Sequence, residues 1–192
     1  MKESIVNDYL KAIESASNMG SKSKSYKAFS EARVKLLKAT ESGVETEAIP
    51  SKWHTAFEEL TCLGFYPQER RLTASLKIKR PYGYGGNLPG GIGTYQYVAF
   101  YVNWNGDSDF NDTGEDVCAS YVHVFDPGAI ITKTGPICYS VYRDIIPLPT
   151  LKPGTVVNVR AILSWQIKPT GPNFQPTWGN VINCPIRIEP IQ

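Results

Sequence analysis

Several features on which enzyme active sites commonly depend are scarce in this sequence or wrongly spaced. Only two of its 192 residues are histidines, His54 and His123, so a multi-histidine metal centre cannot be assembled. The four cysteines form no CxxC pair, which argues against the usual zinc and thioredoxin motifs and leaves buried free thiols as the expectation. No G-x-S-x-G turn precedes a predicted helix. We therefore expect a protein that is not an enzyme and needs no cofactor.

Long hydrophobic runs are absent as well. The N-terminal residues include charged and polar side chains throughout, so they lack the apolar stretch of a secretory signal. No segment approaches the roughly 20 apolar residues of a membrane-spanning helix. We expect a cytoplasmic protein without a membrane span. Hydrophobic residues nevertheless make up 42% of the chain and charged residues 20%, which is typical of a folded protein rather than a disordered one.

Positive and negative charges are nearly balanced, and the small excess lies near the N-terminus. Lys and Arg outnumber Asp and Glu by nine to seven in residues 1–52, whereas there are eleven of each from Trp53 onward. A nucleic-acid footprint normally needs a clustered basic patch. The lysines of the N-terminal segment are interrupted by Glu31 and Glu41, so we expect a solvated face there and no nucleic-acid partner.

Residues 1–52 have a helical period. Apolar side chains recur at helical spacing in two stretches, Ile5, Tyr9, Ile13 and Ala16, and then Tyr26, Phe29, Ala32 and Leu36. Each predicted amphipathic helix is too short to be stable alone, so its apolar face must pack against the rest of the chain or another molecule. We expect this helical extension to bind another protein or another copy of the same chain.

From Leu72 onward the hydrophobic period is two. Leu72, Ala74, Leu76 and Ile78 alternate with polar residues, as in a strand with one buried face. Similar segments predict seven strands in a domain of residues 53–192, near residues 60–65, 72–79, 96–104, 118–125, 137–143, 157–165 and 181–188. No helical pattern separates them, so we predict a mainly β protein, an antiparallel immunoglobulin-like β-sandwich. Pro185 lacks a backbone donor, which places the last strand at an edge.

A glycine-rich segment, residues 81–93, invites comparison with phosphate-binding loops. A P-loop needs Gly-Lys-Ser/Thr entering a helix, whereas a strand follows here, so we predict a long inter-strand loop instead. Its Tyr82 and Tyr84 are candidates for binding a partner or a sugar, because loops on a rigid sandwich commonly carry binding residues. Trp178, in the turn before the last strand, is a third candidate, with packing in the core or at the end of the sandwich as the alternative.

An acidic turn follows the third predicted strand. Asp107, Asp109, Asn111 and Asp112 bring oxygen-bearing side chains close together in sequence, as at the start of a calcium loop. An EF-hand would need glycine where Asp112 stands and glutamate where Cys118 stands, so the pattern is incomplete. A plain acidic turn is the first interpretation, and a calcium site of another type formed by these residues is the alternative.

Four segments resemble a recurring all-β domain of uncharacterised bacterial proteins: residues 58–64 (EELTCLG), 78–86 (IKRPYGYGG), 159–165 (VRAILSW) and 176–180 (PTWGN). The resemblance covers about residues 57–188 and leaves out the helical extension. It implies an all-β fold but no known activity, so it suggests a domain and not a function.

The sequence therefore predicts a non-catalytic module for protein–protein interaction or assembly, with the helical extension contacting the partner. Two alternatives stay open. One is a structural subunit of a larger particle or filament, in which the extension or the last strand packs onto a neighbour. The other is a carbohydrate- or calcium-dependent binding domain that uses Tyr82, Tyr84, Trp178 and the acidic turn.

Overall fold

The computed structural model describes residues 55–85, 92–107, 109–145 and 152–189. In chain order their elements are β1 (Glu58–Tyr66), β2 (Arg71–Ile78), β3 (Thr94–Asn103), β4 (Asp116–Val124), α1 (Ala129–Thr134), β5 (Ile137–Asp144), β6 (Val156–Trp165) and β7 (Val181–Arg187). A 3₁₀ turn, Pro67–Glu69, joins β1 to β2. The prediction of a mainly β protein with seven strands is confirmed. The two helices predicted within residues 1–52 lie outside the described residues.

The strands form two antiparallel sheets. β1, β2 and β5 form the first sheet in that order, and β4, β3, β6 and β7 form the second. The chain changes sheet between β2 and β3, between β4 and β5, and between β5 and β6. Each sheet therefore joins strands that are distant in sequence, so neither can form from one local hairpin alone. β7 lies at an edge, as Pro185 predicts.

The main core lies between the two sheets. In β2 the alternate residues Leu72, Ala74, Leu76 and Ile78 are all buried, as their period predicts. They share one apolar cluster with the inward-facing residues of β3 and β6, namely Val98, Phe100, Val102, Val157, Val159, Ala161 and Leu163. Burying a Val, Leu or Phe side chain stabilises the fold by about 1.5–3 kcal/mol relative to leaving it exposed. The β-sandwich character of the protein follows from this shared interior.

A second, smaller apolar cluster lies on the outer face of the four-stranded sheet. Ala99, Tyr101 and Ile162 point away from the main core and are nevertheless buried, because Phe110 of the β3–β4 loop packs over them. The guanidinium of Arg160 lies 4.6 Å from the centre of the Phe110 ring and holds this cover in place. The middle of β3 and β6 is therefore buried on both faces, which strict alternation does not predict.

Asn180, in the turn before β7, connects the two sheets. Its side-chain oxygen accepts a hydrogen bond from the backbone N–H of Leu60 at 2.8 Å, and its amide donates to the Leu60 carbonyl at 3.0 Å. Leu60 belongs to the outermost strand of the first sheet. One side chain thus closes the side of the sandwich where β1 approaches β7.

Two details differ from the expectation. The four cysteines are free, but Cys62, Cys118 and Cys138 are exposed, so the expectation of buried thiols was wrong. The short helix α1 was not predicted, because its sequence is rich in β-branched residues that disfavour a helix. Burial of Ile131 anchors α1 against the core. Neither α1 nor any other helix in the described ranges is long and apolar enough to cross a membrane.

Candidate functional site

Five ring-bearing side chains cluster on the outer face of the four-stranded sheet: Tyr95, Tyr97, Tyr121, His123 and Phe125, here called the aromatic patch. The β3–β4 register places Tyr95 opposite His123 and Tyr97 opposite Tyr121. Alternation along each strand sends these side chains outward, since Val98 and Val124 face the core. The patch therefore follows directly from strand pairing.

The rings pack mainly against one another. Tyr95 and His123 are stacked, with centroids 4.6 Å apart and planes 15° apart, and Tyr121 meets the edge of Tyr95 at 5.2 Å. Phe125 is tilted by 46° against His123, and Tyr97 lies at 60° to Tyr121. Contacts of this kind add about 0.5–1.5 kcal/mol per pair beyond simple burial. The cluster is thus an ordered surface rather than five independent side chains.

His123 also ties the patch to the end of the glycine-rich loop. Its Nε2 lies 2.5 Å from the Ile92 carbonyl oxygen, and because a carbonyl only accepts, Nε2 carries the donated proton. Gly93 makes this approach possible, since a Cβ there would lie 2.6 Å from Nε2 of His123 and 2.9 Å from the Val124 oxygen. The loop base and the patch are therefore one structural unit.

Much of the patch is accessible to solvent, and it contains no Asp, Glu, Lys or Arg side chain. Tyr95 is 40% exposed, Phe125 is 47% exposed and Tyr121 is 58% exposed. Tyrosine and phenylalanine are enriched, and charged residues depleted, at the centres of protein interfaces. Adjoining exposed aromatics on one sheet face therefore indicate a contact surface.

A groove runs beside this surface between β4 and β5, the neighbouring edge strands of the two sheets. Its volume is about 600 Å³, and Tyr121 belongs both to the groove and to the patch. Arg143 of β5 crosses the groove at one end, where its guanidinium donates to the Ala119 carbonyl oxygen. The remaining lining residues are Val117, Cys118, Ser120, Ser140, Val141, Tyr142 and Asp144.

The sequence-based binding candidates Tyr84 and Trp178 are buried in the end of the sandwich. The Tyr84 hydroxyl donates to the Phe57 carbonyl at 2.6 Å, and its backbone N–H donates to Asp126 at 2.6 Å. Trp178 meets the Phe57 ring edge-on at 6.1 Å. These contacts support packing roles for both residues. Tyr82 is only partly buried, and ligand binding by these three residues stays a prediction.

In the acidic turn, the carboxylates accept hydrogen bonds from their own segment. Asp107 accepts from the backbone of Asp109 at 3.1 Å, and this bond lowers the pKa of the Asp107 carboxyl. Asp109 accepts from the backbone of Asn111 at 2.9 Å, and the amide of Asn105 bridges Asp107 and Asp112. No group of three or more metal-binding side chains occurs among the residues that the structure describes. The hydrogen bonds explain the turn's composition, and calcium binding stays a prediction.

Glu115 fixes this turn to the sheet from beneath. Its buried carboxylate accepts from the backbone N–H of Trp104 at 3.0 Å and from that of Asp112 at 3.2 Å. The indole of Trp104 donates to the Gly114 carbonyl at 3.1 Å. The acidic turn is therefore a structural cover that carries Phe110 over the second apolar cluster.

No protein-family model matches the chain, and no curated protein is similar enough to identify a relative. The resemblance of four segments to a recurring bacterial domain therefore stays a prediction. The exposed surfaces of the protein are therefore the basis for inferring its function.

The aromatic patch is not among the candidates that the sequence suggested. Its signal is present in the sequence. The outward-facing positions of β2 are polar, whereas Tyr95 and Tyr97 occupy the outward-facing positions of β3. Tyr121, His123 and Phe125 likewise occupy alternate positions along β4 and just after it. Strand pairing is what joins these two series. The β-bulge between Ala99 and Tyr101 and the long β3–β4 loop hide that register from a sequence pattern.

Proposed function

We propose that the protein is a non-catalytic interaction module that binds a partner protein through the aromatic patch. The observation that carries this proposal is the continuous, uncharged and solvent-exposed cluster of five rings on one sheet face. Such a surface gains free energy when another protein covers it and removes its apolar area from water. The partner's contact area should be rich in apolar and neutral polar side chains, because the patch contains no Asp, Glu, Lys or Arg side chain.

The ring geometry favours a protein partner over a carbohydrate. A sugar stacks on an aromatic ring whose face is free, whereas Tyr95 and His123 cover each other's faces and Tyr121 stands edge-on to Tyr95. The surface offers ring edges and hydroxyl groups instead. Tyrosines that present such mixed apolar and hydrogen-bonding surfaces are typical of protein interfaces.

The wider classification is part of the same proposal. We infer an immunoglobulin-like sandwich, which the seven strands and the grouping of β3, β6 and β7 in one sheet support. The fourth strand pairs with β3 rather than with β5, unlike the constant-type arrangement. Four free cysteines, three of them exposed, support a reducing compartment such as the cytoplasm. A second contact through the N-terminal extension would make the protein an assembly subunit.

The test is direct binding to an identified partner. Full-length protein is used as bait in cells of the source organism, and each recovered protein is then purified and titrated against purified variants. Tyr95→Ser combined with Tyr97→Ser should weaken binding at least about 30-fold, the effect of losing one strong interface residue of about 2 kcal/mol. These two residues lie on β3, away from the sheet edge.

Tyr66→Ser combined with Val156→Ser is the control. Those residues are 52% and 60% exposed, and neither lies in the patch or lines the groove. The control should bind the partner like the wild type, and the melting temperatures of both double variants should be compared. A partner that binds the Tyr95/Tyr97 variant with unchanged affinity would refute the proposed role of the patch, and binding only to a glycan panel would favour the carbohydrate alternative.

A further inference from the structure

β4 forms an edge of the four-stranded sheet. Within the described residues it pairs with β3 alone, and its other side faces the groove, across which β5 of the other sheet lies. An edge of this kind is a template for a further strand unless the protein blocks it.

Two of the other three edges are blocked within the strand, and the third is blocked at one end. On β1 the Asn180 side chain bonds both backbone groups of Leu60, and a bulge between Leu60 and Cys62 breaks the register. On β7 Pro185 has no N–H to offer a neighbouring strand. On β5 the consecutive charged residues Arg143 and Asp144 block one end only, and residues 137–142 have no proline, bulge or charge.

β4 is blocked over only half of its length. The bulge opposite Ala99, the positive φ of 76° at Cys118 and the hydrogen bond from Arg143 to Ala119 all lie in its first half. The second half, residues 120–124, has no proline, no bulge and no formally charged residue, and each of these residues pairs regularly with β3. This stretch retains the geometry needed to accept another strand.

The groove lies beside the start of this stretch. Ser120 lines the groove of about 600 Å³ between β4 and β5. Val122, which points toward the core, is only half-buried at this edge. An added strand would cover Val122 and direct its own inward side chains over the groove.

We propose that residues 120–124 pair antiparallel with the same segment of a second copy of the chain, joining two four-stranded sheets into one. The stretch has no charge, so pairing with itself opposes no like charges, and residues 53–192 carry eleven basic and eleven acidic residues and therefore do not repel another copy. Antiparallel self-pairing is two-fold symmetric and closes after two copies. It also brings the outward rings Tyr121 and His123 of both copies side by side, a pairing that stabilises sheets.

This contact is separate from the proposed partner-binding surface. It uses the backbone edge of β4, and it leaves the outer face of the patch open. Pairing joins the two patches into one larger aromatic surface across the dimer. A partner could then bind two copies at once.

The test measures the mass of the full-length protein by sedimentation velocity from micromolar to near-millimolar concentration. The wild type should shift from monomer to dimer, and the backbone amides of residues 120–124 should exchange hydrogen more slowly at high concentration than at low concentration. Ser120→Lys should weaken the dimer at least about tenfold, because pairing would bury an unpaired ammonium group. Val181→Lys, on the opposite edge of the same sheet, is the charge-matched control and should dimerise normally.

A wild type that stays monomeric throughout, or a dimer that Ser120→Lys leaves intact, overturns this inference. The hydrogen-exchange comparison needs no variant, so the test remains decisive if Ser120→Lys folds poorly. The Tyr95/Tyr97 double variant should still dimerise. Loss of partner binding in that variant without any wild-type dimer would support the proposed function and refute the edge pairing alone.

Discussion

Gly179, in the turn before β7, packs against the backbone of β6, and replacing it provides the sharpest test of that contact. Its φ is +118°, and a Cβ at this position would lie 2.1 Å from the Leu163 oxygen and 2.7 Å from the Leu163 carbonyl carbon. The backbone cannot retreat freely, because the carbonyls of Trp178 and Asn180, on either side of Gly179, accept from Trp165 and Leu163 at 3.2 and 2.9 Å. An alanine must therefore break these contacts or strain the strand.

The expected cost of Gly179→Ala follows from these terms. A non-glycine residue at this backbone angle costs about 1–3 kcal/mol. Relieving the overlap sacrifices about two hydrogen bonds at about 1 kcal/mol each. The sum is about 3–5 kcal/mol, or a fall of about 9–15 °C in melting temperature at about 3 °C per kcal/mol for a domain of this size.

Gly114→Ala is the control for this prediction. Gly114 also has a positive φ, +91°, but a Cβ there would meet nothing within 4 Å. It should cost only the backbone term of about 1–3 kcal/mol. Urea and thermal unfolding of both variants measure the difference, and a Gly179→Ala variant no less stable than Gly114→Ala would refute the claim that close packing at Leu163 requires glycine.

Three further predictions concern single contacts. Asn180→Ala should destabilise the fold by about 1–3 kcal/mol in urea unfolding, because two hydrogen bonds to Leu60 are lost; a change near zero would show that water replaces them. Burial raises the pKa of Tyr101 to about 12 from 10.0, so its contribution to stability is complete below about pH 10 and is lost as the pH rises toward 12. Tyr101→Phe, which cannot ionise, should therefore unfold at a higher pH than the wild type, as followed by circular dichroism. The hydrogen bond from Arg71 lowers the pKa of the Asp144 carboxyl below its usual 3.8, so this pair stabilises the fold above that pH and the effect disappears as the pH falls through the folded-state pKa. Arg71→Gln should raise that pKa toward 3.8 in an NMR titration, and an unchanged pKa would contradict the assignment.

The positions of the strands could be predicted where apolar residues alternate locally with polar ones. β2 shows this most clearly, since Leu72, Ala74, Leu76 and Ile78 are buried while the residues between them are partly exposed. The edge position of β7 was also predictable, because the missing N–H of Pro185 is a property of one residue. In both cases the sequence contains the whole physical cause.

The burial of individual outward residues could not be predicted in this way. Tyr97 and Tyr101 occupy the same phase of β3, yet Tyr101 is buried and Tyr97 is only partly covered. The difference arises from Phe110 of the β3–β4 loop, which packs over one half of the sheet face and is distant in sequence from the β6 residues that it covers. Tyr84 shows the opposite case, because a residue in a glycine-rich loop is held in the core by Phe57 and Asp126.

These contrasts explain why the candidate surface lies where it does. The β3–β4 loop and Phe174 cover the outer sheet face near Tyr101 and Ile162, so that region contributes to the fold. The region around Tyr95 and Tyr121 has no such cover within the described residues, although its rings are ordered by mutual packing and by the bond from His123 to Ile92. Holding these rings in fixed positions is costly if the surface only faces water. The side chains lose conformational entropy, while their apolar area stays hydrated. Contact with another molecule would offset that cost by removing the apolar area from water. Both proposed contacts, at the outer sheet face and at the β4 edge, use the same end of β4.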